Sequence, residues 1–264
     1  MDSIDLNGLK ISLFDRLSLA EHLKTTIQNR QKEICYGYSL GTIALFKKEK
    51  KFYSIINSFD LMVTDGRFFY WFAQVIGARL KYDISIPNLT LLLLDIANAN
   101  SFSVLLLGAT AEVNIKAAEN IRKKYLNIRL HEGIDGYFTD DMEPEIIDKI
   151  NLLHPDILLI GISSPKKEQF AQKWKEKLDS RIIVPCGGMI DVIAGKTKTT
   201  PRLIKKLGLA TPYRVLQEPK RLFWHNLWIS AEIVFRVLPI TLFKIKILRI
   251  KNFFIPSIYG IKRP

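Results

Sequence analysis

Along the first 200 residues, short apolar runs alternate with stretches whose apolar positions recur at helical spacing. The runs predict strands at Ile34–Ser39, Leu61–Val63, Val104–Leu107, Asn127–Leu130, Ile157–Ile162 and Ile182–Pro185. The periodic stretches predict helices near Leu17–Gln28, Thr42–Ile55, Arg67–Ile76, Pro87–Asn98, Glu112–Tyr125, Pro144–Leu153 and Pro165–Leu178. Ile157–Ile162 is apolar throughout rather than alternating, as expected of a strand buried on both faces. Strand and helix in alternation imply an α/β fold, a mostly parallel sheet with helices on both faces. Ligands of such sheets bind outside the carboxyl ends of the strands, so the residues just after each strand are the ones to inspect.

Asp65 and Gly66 follow the second predicted strand. A carboxylate at that rim can take a proton from a hydroxyl, or cap the next helix. Gly108 ends the third strand in a turn of nucleotide-binding type, but no full G-x-G-x-x-G follows, so a dinucleotide oxidoreductase is poorly supported. After Ile157–Ile162 comes Ser164-Pro165-Lys166-Lys167-Glu168. Ser164 is expected to cap a helix with Pro165 in its first position, and the free N–H groups beside two lysines form a plausible anion site. Gly187 and Gly188 end the last strand, where absent side chains let a ligand approach the backbone. Asp191, one turn on, can accept hydrogen bonds from a ribose or base, or cap a short helix.

Together these elements resemble the WecG/TagA/CpsF bacterial glycosyltransferases, glycosyltransferase family 26. The resemblance rests on Asp65-Gly66, Gly136-Tyr137-Phe138, Pro165-Lys166-Lys167-Glu168, the Gly187-Gly188-x-x-Asp191-x-x-x-Gly195-Lys196 element and Gln217-Glu218-Pro219-Lys220-Arg221, in that order. It implies a Rossmann-like core and an inverting, metal-independent transfer of a sugar from a UDP-sugar donor to an undecaprenyl-diphosphate-linked sugar acceptor. The donor sugar would be N-acetylmannosamine, its uronic acid or glucose, and the product would feed a surface polysaccharide. By resemblance Asp65 is the base, Lys167 positions substrate or phosphate, and Arg214 and Arg221 stabilise the leaving diphosphate. Tyr137 and Asp191 fall near the nucleotide, with Gly66, Gly108, Pro165, Lys166, Glu168, Gly187 and Gly188 lining the substrate site. Arg214 and Arg221 are seven residues apart and share a face if their segment is one helix. The chain departs from the pattern at Lys167, where members usually have Gln. It also has Gly37-Tyr38-Ser39 where they have Thr-Pro-Asn, and Ala210-Thr211-Pro212 for Glu-Trp-Leu.

Charge divides the chain near Thr200-Pro201. Of the formal net +13, most lies in residues 202–264, with 13 Lys or Arg against only Glu218 and Glu232. Residues 1–200 are thus expected to form the core and 201–264 a basic, amphipathic helical appendage. Leu227–Ile250 is rich in aliphatic and aromatic residues but carries Glu232, Arg236, Lys244, Lys246 and Arg249. Gains of roughly 0.3–0.6 kcal/mol per apolar residue nearly cancel against roughly 2.5–3.5 kcal/mol per central charge, so a span is not favoured. The mixture suits contact with an anionic inner-leaflet surface, or packing on the core or in a homo-oligomer. That makes a peripheral enzyme on the cytoplasmic face the expectation, with no nucleic-acid partner. A non-catalytic basic module would explain the tail but not Asp65-Gly66 together with Gly187–Lys196. Cys35 and Cys186 are far apart and apolar in context, as in a reduced cytoplasmic protein, and Met1–Asn7 lacks the marks of a signal peptide. Asp140-Asp141 does not have Asp-x-Asp spacing, His22, His131, His154 and His225 lack ligand spacing, and no cofactor is expected.

Overall fold

The computed structural model describes residues 3–262 apart from 7, 50, 77–79, 81–82, 202, 205–206, 249 and 251–252, with the side chains of 221, 225 and 246 also outside the description. Six strands form one parallel sheet: β3 (Glu33–Tyr38), β4 (Leu61–Thr64), β5 (Ser103–Gly108), β6 (Arg129–Leu130), β7 (Ile157–Gly161) and β8 (Ile182–Pro185). Their order across the sheet is β4-β3-β8-β7-β5-β6, every pairing parallel. The chain runs from β3 to β4 at one edge, crosses to β5 and β6 at the other, and returns through β7 to β8 beside β3. This reversal opens a crevice at the carboxyl ends of the central strands.

Because successive side chains of a strand point to opposite faces, each uninterrupted apolar run feeds two cores. Leu105, Leu107, Leu158, Ile160, Ile34 and Tyr36 face one, whereas Val104, Leu106, Ile157, Leu159, Cys35 and Val184 face the other. The second face is covered by α1 (Arg16–Gln28), α5 (Ile86–Asn100), α6 (Ala111–Lys124) and α9 (Met189–Ile193). The first is covered by α2 (Leu40–Lys48), α3 (Lys51–Asn57), α4 (Arg67–Val75), α7 (Glu143–Leu153) and α8 (Lys166–Trp174). The single helix expected over Thr42–Ile55 is two, because Glu49 adopts an extended backbone after α2. The strand expected over Asn127–Leu130 shortens to two residues at the sheet edge.

An antiparallel hairpin of β1 (Ser3–Leu6) and β2 (Leu9–Ser12) precedes the sheet, with Gly8 between its strands at φ 93°. Beyond the core come α10 (Ala210–Gln217) and α11 (Pro219–Glu232), then π-helical turns at Ile233–Val237 and Phe243–Ile247 flanking α12 (Leu238–Leu242), and a 3-10 turn at Ile255–Tyr259. This segment adds Ile233, Val237, Phe253, Phe254, Ile255 and Tyr259 to the first core. Phe254 packs edge-on against Tyr53, whose hydroxyl donates to the Gly8 carbonyl at 2.9 Å. Lys47 of α2 reaches the buried Glu232 carboxylate at 2.6 Å, and the Lys48 ammonium lies 4.3 Å from the Trp228 ring centre. Other apolar side chains of the segment face outward: Trp224 is 73% exposed and Phe235 82%. Among the described residues no helix is long and apolar enough to cross a membrane.

Candidate active site

Asp65 leaves β4 at the crevice. Its N–H donates to the Tyr38 carbonyl at 2.6 Å, continuing the β3–β4 pairing by one residue, and its Oδ1 accepts from the Ile86 N–H at 3.1 Å. The approach to β3 is close enough that a Cβ on Gly37 would stand 2.7 Å from both the Asp65 Cβ and the Ile86 Cγ1. Asp65 does not cap α4; Gly66 takes that place, with no side-chain cap. The carboxyl therefore takes no part in starting the helix. Its burial pushes its pKa above the usual carboxylate range, Asp83 adds to the rise, and the Ile86 N–H, Lys167 and Arg214 oppose it. Asp83, itself raised by burial, is bridged by Arg67 at 3.3 Å.

The turn after β7 differs from expectation. The helix starts at Lys166 with Pro165 in the cap position, one residue before its anticipated place, and no side chain caps it. The Ser164 hydroxyl instead donates to Glu168 Oε1 at 2.7 Å. Glu168 is completely buried and takes a second hydrogen bond from the Tyr36 hydroxyl at 3.1 Å; the Lys167 ammonium rests on the same oxygen. Lys167 is 8% exposed, lies 5.1 Å from the Tyr36 ring centre, and has its Cε 3.5 Å from where a Gly187 Cβ would stand. Lys166 turns the other way, onto the Phe138 ring and carbonyl and toward Asp140 at 3.6 Å. The two lysines thus have different surroundings, and only Lys167 enters the crevice beside Asp65.

The β8 turn completes the site. Gly187 has φ 57°, a left-handed conformation that favours glycine, and a Cβ on Gly188 would come within 2.9 Å of Arg214 Nη2. Arg214, on α10, thereby reaches over the end of the sheet, and its Nε is buried with no hydrogen-bond partner among the described residues. Asp191 does not cap α9, whose cap is Gly188; it pairs with Lys196 at 3.0 Å. That carboxylate, followed by Tyr137 and Glu218, raises the Lys196 pKa, so Tyr137, Asp191 and Lys196 are neighbours at the rim. Tyr137 is 78% exposed, open to stack on a planar ligand, whereas Phe138 is buried in the core. Gly108 ends β5 opposite Gly161 on the other side of the crevice.

The one-face argument for Arg214 and Arg221 does not hold. Glu218, at φ −133° and ψ 61°, breaks the segment into α10 and α11, so the two arginines lie on different helices; the Arg221 side chain is outside the described residues. Gln217 and Glu218 instead clasp the strap after α9: Gln217 exchanges hydrogen bonds with the Lys198 backbone at 2.8 and 3.3 Å, and Glu218 accepts from Thr197 at 3.3 Å. Sequence reasoning missed the contributions of Tyr36 and Asp83. Tyr36 lies within β3 and Asp83 between α4 and α5, where neither stands at a strand end that would have marked it. No group of three or more potential metal-ligating His, Cys, Asp or Glu occurs among the described residues.

Three relatives from Staphylococcus aureus, strains MRSA252, MW2 and NCTC 8325 / PS 47, are each 27% identical over 229 residues, covering 83% of this chain and 86% of theirs. Each bears the name N-acetylglucosaminyldiphosphoundecaprenol N-acetyl-beta-D-mannosaminyltransferase. The family model for the glycosyl transferase WecG/TagA/CpsF family matches residues 4–246, a span that takes in the hairpin, every strand of the sheet and most of the appendage, and the chain therefore belongs to that family of glycosyltransferases.

Proposed function

We propose that the protein moves a hexose or N-acetylhexosamine from a UDP-sugar to a sugar carried on undecaprenyl diphosphate, in one inverting displacement assisted by protein cations. The observation that carries this reading is a buried carboxylate, Asp65, beside two cations, Lys167 and Arg214, over a glycine turn. The relatives' name supplies the class of acceptor. In this mechanism the acceptor hydroxyl gives its proton to Asp65 as its oxygen bonds to the anomeric carbon. The bond from that carbon to the UDP oxygen breaks, and its electron pair leaves on the diphosphate. Arg214 meets the growing negative charge, with Arg221 as the second donor from the following helix. Tyr137 stacks on the uracil, and Asp191 and Lys196 bind the ribose or the adjoining phosphate. The apolar and basic outer face of residues 201–264 rests on the anionic inner surface of the membrane that holds the acceptor. The products are UDP and a lengthened lipid-linked glycan for a surface polysaccharide.

The test is the configuration of the product. Proton NMR of the new linkage formed from an α-configured UDP-sugar should show the β anomer; an α linkage would rule out single displacement and Asp65 as its base.

A further inference from the structure

Alternation along the strands decides where Asp65 points. Gly37 of β3 pairs with Val63 of β4, and Cys35 and Val63 face the second core. Gly37, two residues beyond Cys35, and Asp65, two beyond Val63, therefore face the same side. That side is covered by α5, whose first residue, Ile86, is buried in the same core. The start of α5 has no acceptor of its own: Ser85 makes no side-chain cap, and Pro87 has no N–H to satisfy. The Ile86 N–H instead donates to Asp65 Oδ1 at 3.1 Å. Their meeting needs position 37 to lack a side chain, since a Cβ there would stand 2.7 Å from both the Asp65 Cβ and the Ile86 Cγ1. Gly37 does not have a positive φ, so space rather than backbone conformation calls for glycine. The support behind the N–H is firm. Helix α5 runs for 15 residues, buries Leu89, Leu93 and Ala97 completely, and has Thr90 Oγ1 donating to the Ile86 carbonyl at 2.9 Å.

We propose, building on the reading of Asp65 as the base, that Ile86 is its positioning residue: the backbone N–H at the start of α5 holds Oδ1, Gly37 leaves the space that brings the two together, and Oδ2 is the oxygen that takes the acceptor's proton. With the Asp65 N–H on the Tyr38 carbonyl at 2.6 Å, the backbone, the Cβ and one carboxyl oxygen are all fixed before substrate arrives. Among the described residues no hydrogen bond reaches Oδ2. The N–H also lies at the positive end of a helix, which favours the carboxylate over the acid, and a hydrogen bond to the charged form offsets part of what burial costs it. The other charged and titratable groups facing Asp65 have partners elsewhere or come from outside the core. Asp83 is bridged by Arg67; Lys167 and the Tyr36 hydroxyl both rest on Glu168, and burial keeps Tyr36 neutral. Arg214 belongs to α10. The Ile86 N–H is thus the contact by which the core itself orients the carboxyl.

The experiment compares I86P, I86A and G37A in the full-length protein. Proline suits the first helical position after the extended Ser85 and lacks the N–H, so I86P removes the donor. I86A also loses the buried side chain but keeps the N–H, and is the reference for I86P. Relative to I86A, kcat of I86P should fall about tenfold to a hundredfold, since misplacing a reacting group by about 1 Å costs up to that much. The acidic limb of kcat/KM against pH should stand about half to one pH unit higher in I86P, roughly the worth of one backbone N–H to a carboxylate. UDP affinity by calorimetry should be the same in the two. G37A forces Asp65 and Ile86 apart while keeping every hydrogen-bonding group; its limb should rise above the parent's, and it carries the test should I86P not fold. Equal limbs in I86P and I86A, or a G37A limb that stays at the parent's value, would overturn the proposal. Carbon-13 NMR of aspartate carboxyls, with the Asp65 signal identified by its loss in D65N, reads the same contact without turnover. A midpoint higher in I86P than in I86A upholds the positioning even if no sugar is transferred, in which case only the enzymatic reading fails; equal midpoints refute it outright.

Discussion

Replacing Asp65 by Asn removes the proposed base while leaving its surroundings in place. The amide oxygen of Asn can still accept from the Ile86 N–H, and the Asp65 backbone link to Tyr38 is untouched. Positioned acid–base groups contribute about 10²- to 10⁴-fold, so kcat should fall by that factor, equivalent to about 3–5 kcal/mol of barrier. UDP binding by calorimetry should be retained, because the diphosphate contacts are assigned to Arg214 and its neighbours. A second consequence concerns stability. Burial raises the Asp65 pKa in the folded state, so the folded protein binds this proton more tightly than the unfolded chain does. The stability linked to that proton is fully present below the unfolded value near 3.8 and is lost as pH rises through the raised folded value. Asn, which does not titrate, escapes that loss. The variant should melt higher than the parent at neutral pH, with the difference shrinking toward pH 4. Turnover within threefold of the parent would refute the base assignment; a lower melting temperature at neutral pH would refute the argument from burial.

Three further outcomes follow from the packing. Gly188→Val should raise the donor KM at least tenfold with little change in melting temperature, because the new side chain would displace the Arg214 guanidinium, which already lies 2.9 Å from the Cβ position; an unchanged KM would separate Arg214 from the donor. Deleting residues 202–264 should leave a protein without a cooperative thermal transition. The deletion removes Phe253, Phe254, Ile255 and Tyr259 from the core, at about 1.5–3 kcal/mol for each large buried apolar side chain, a total comparable with the whole stability of a domain. A truncated protein melting within a few degrees of full length would show that the core stands alone. The paired changes Trp224→Ser and Phe235→Ser should abolish flotation with vesicles of anionic phospholipid without lowering the melting temperature, since both side chains are largely exposed; undiminished flotation would move the membrane contact elsewhere.

The central strands were legible because burial on both faces writes itself as an unbroken apolar run, and β3, β4, β5, β7 and β8 fall within a residue or two of expectation. The hairpin of β1 and β2 was missed although Asn7-Gly8, flanked by Leu6 and Leu9, is a hairpin signal; its strands are four residues each and too short for periodicity to register. Helix starts were the weakest point. Asp65, Ser164 and Asp191 all looked like caps, yet none serves as one, because each side chain has another partner: the Ile86 N–H across the fold, and the nearby Glu168 and Lys196. That residues 202–264 are basic and apolar was legible, but not how they pack. Charge counts cannot distinguish Phe254, packed against Tyr53, from Phe235, which faces outward. Nor does composition reveal that Glu218 would break the helix between Arg214 and Arg221.

The most direct test of the central claim is transfer of labelled sugar from a panel of UDP-sugars to undecaprenyl-diphosphate-linked N-acetylglucosamine and glucose in detergent micelles, with and without EDTA. The account predicts transfer from one donor, undiminished by EDTA. A folded preparation that transfers from none and fails to bind UDP would contradict it, and transfer abolished by EDTA would contradict the assignment of the diphosphate to protein cations.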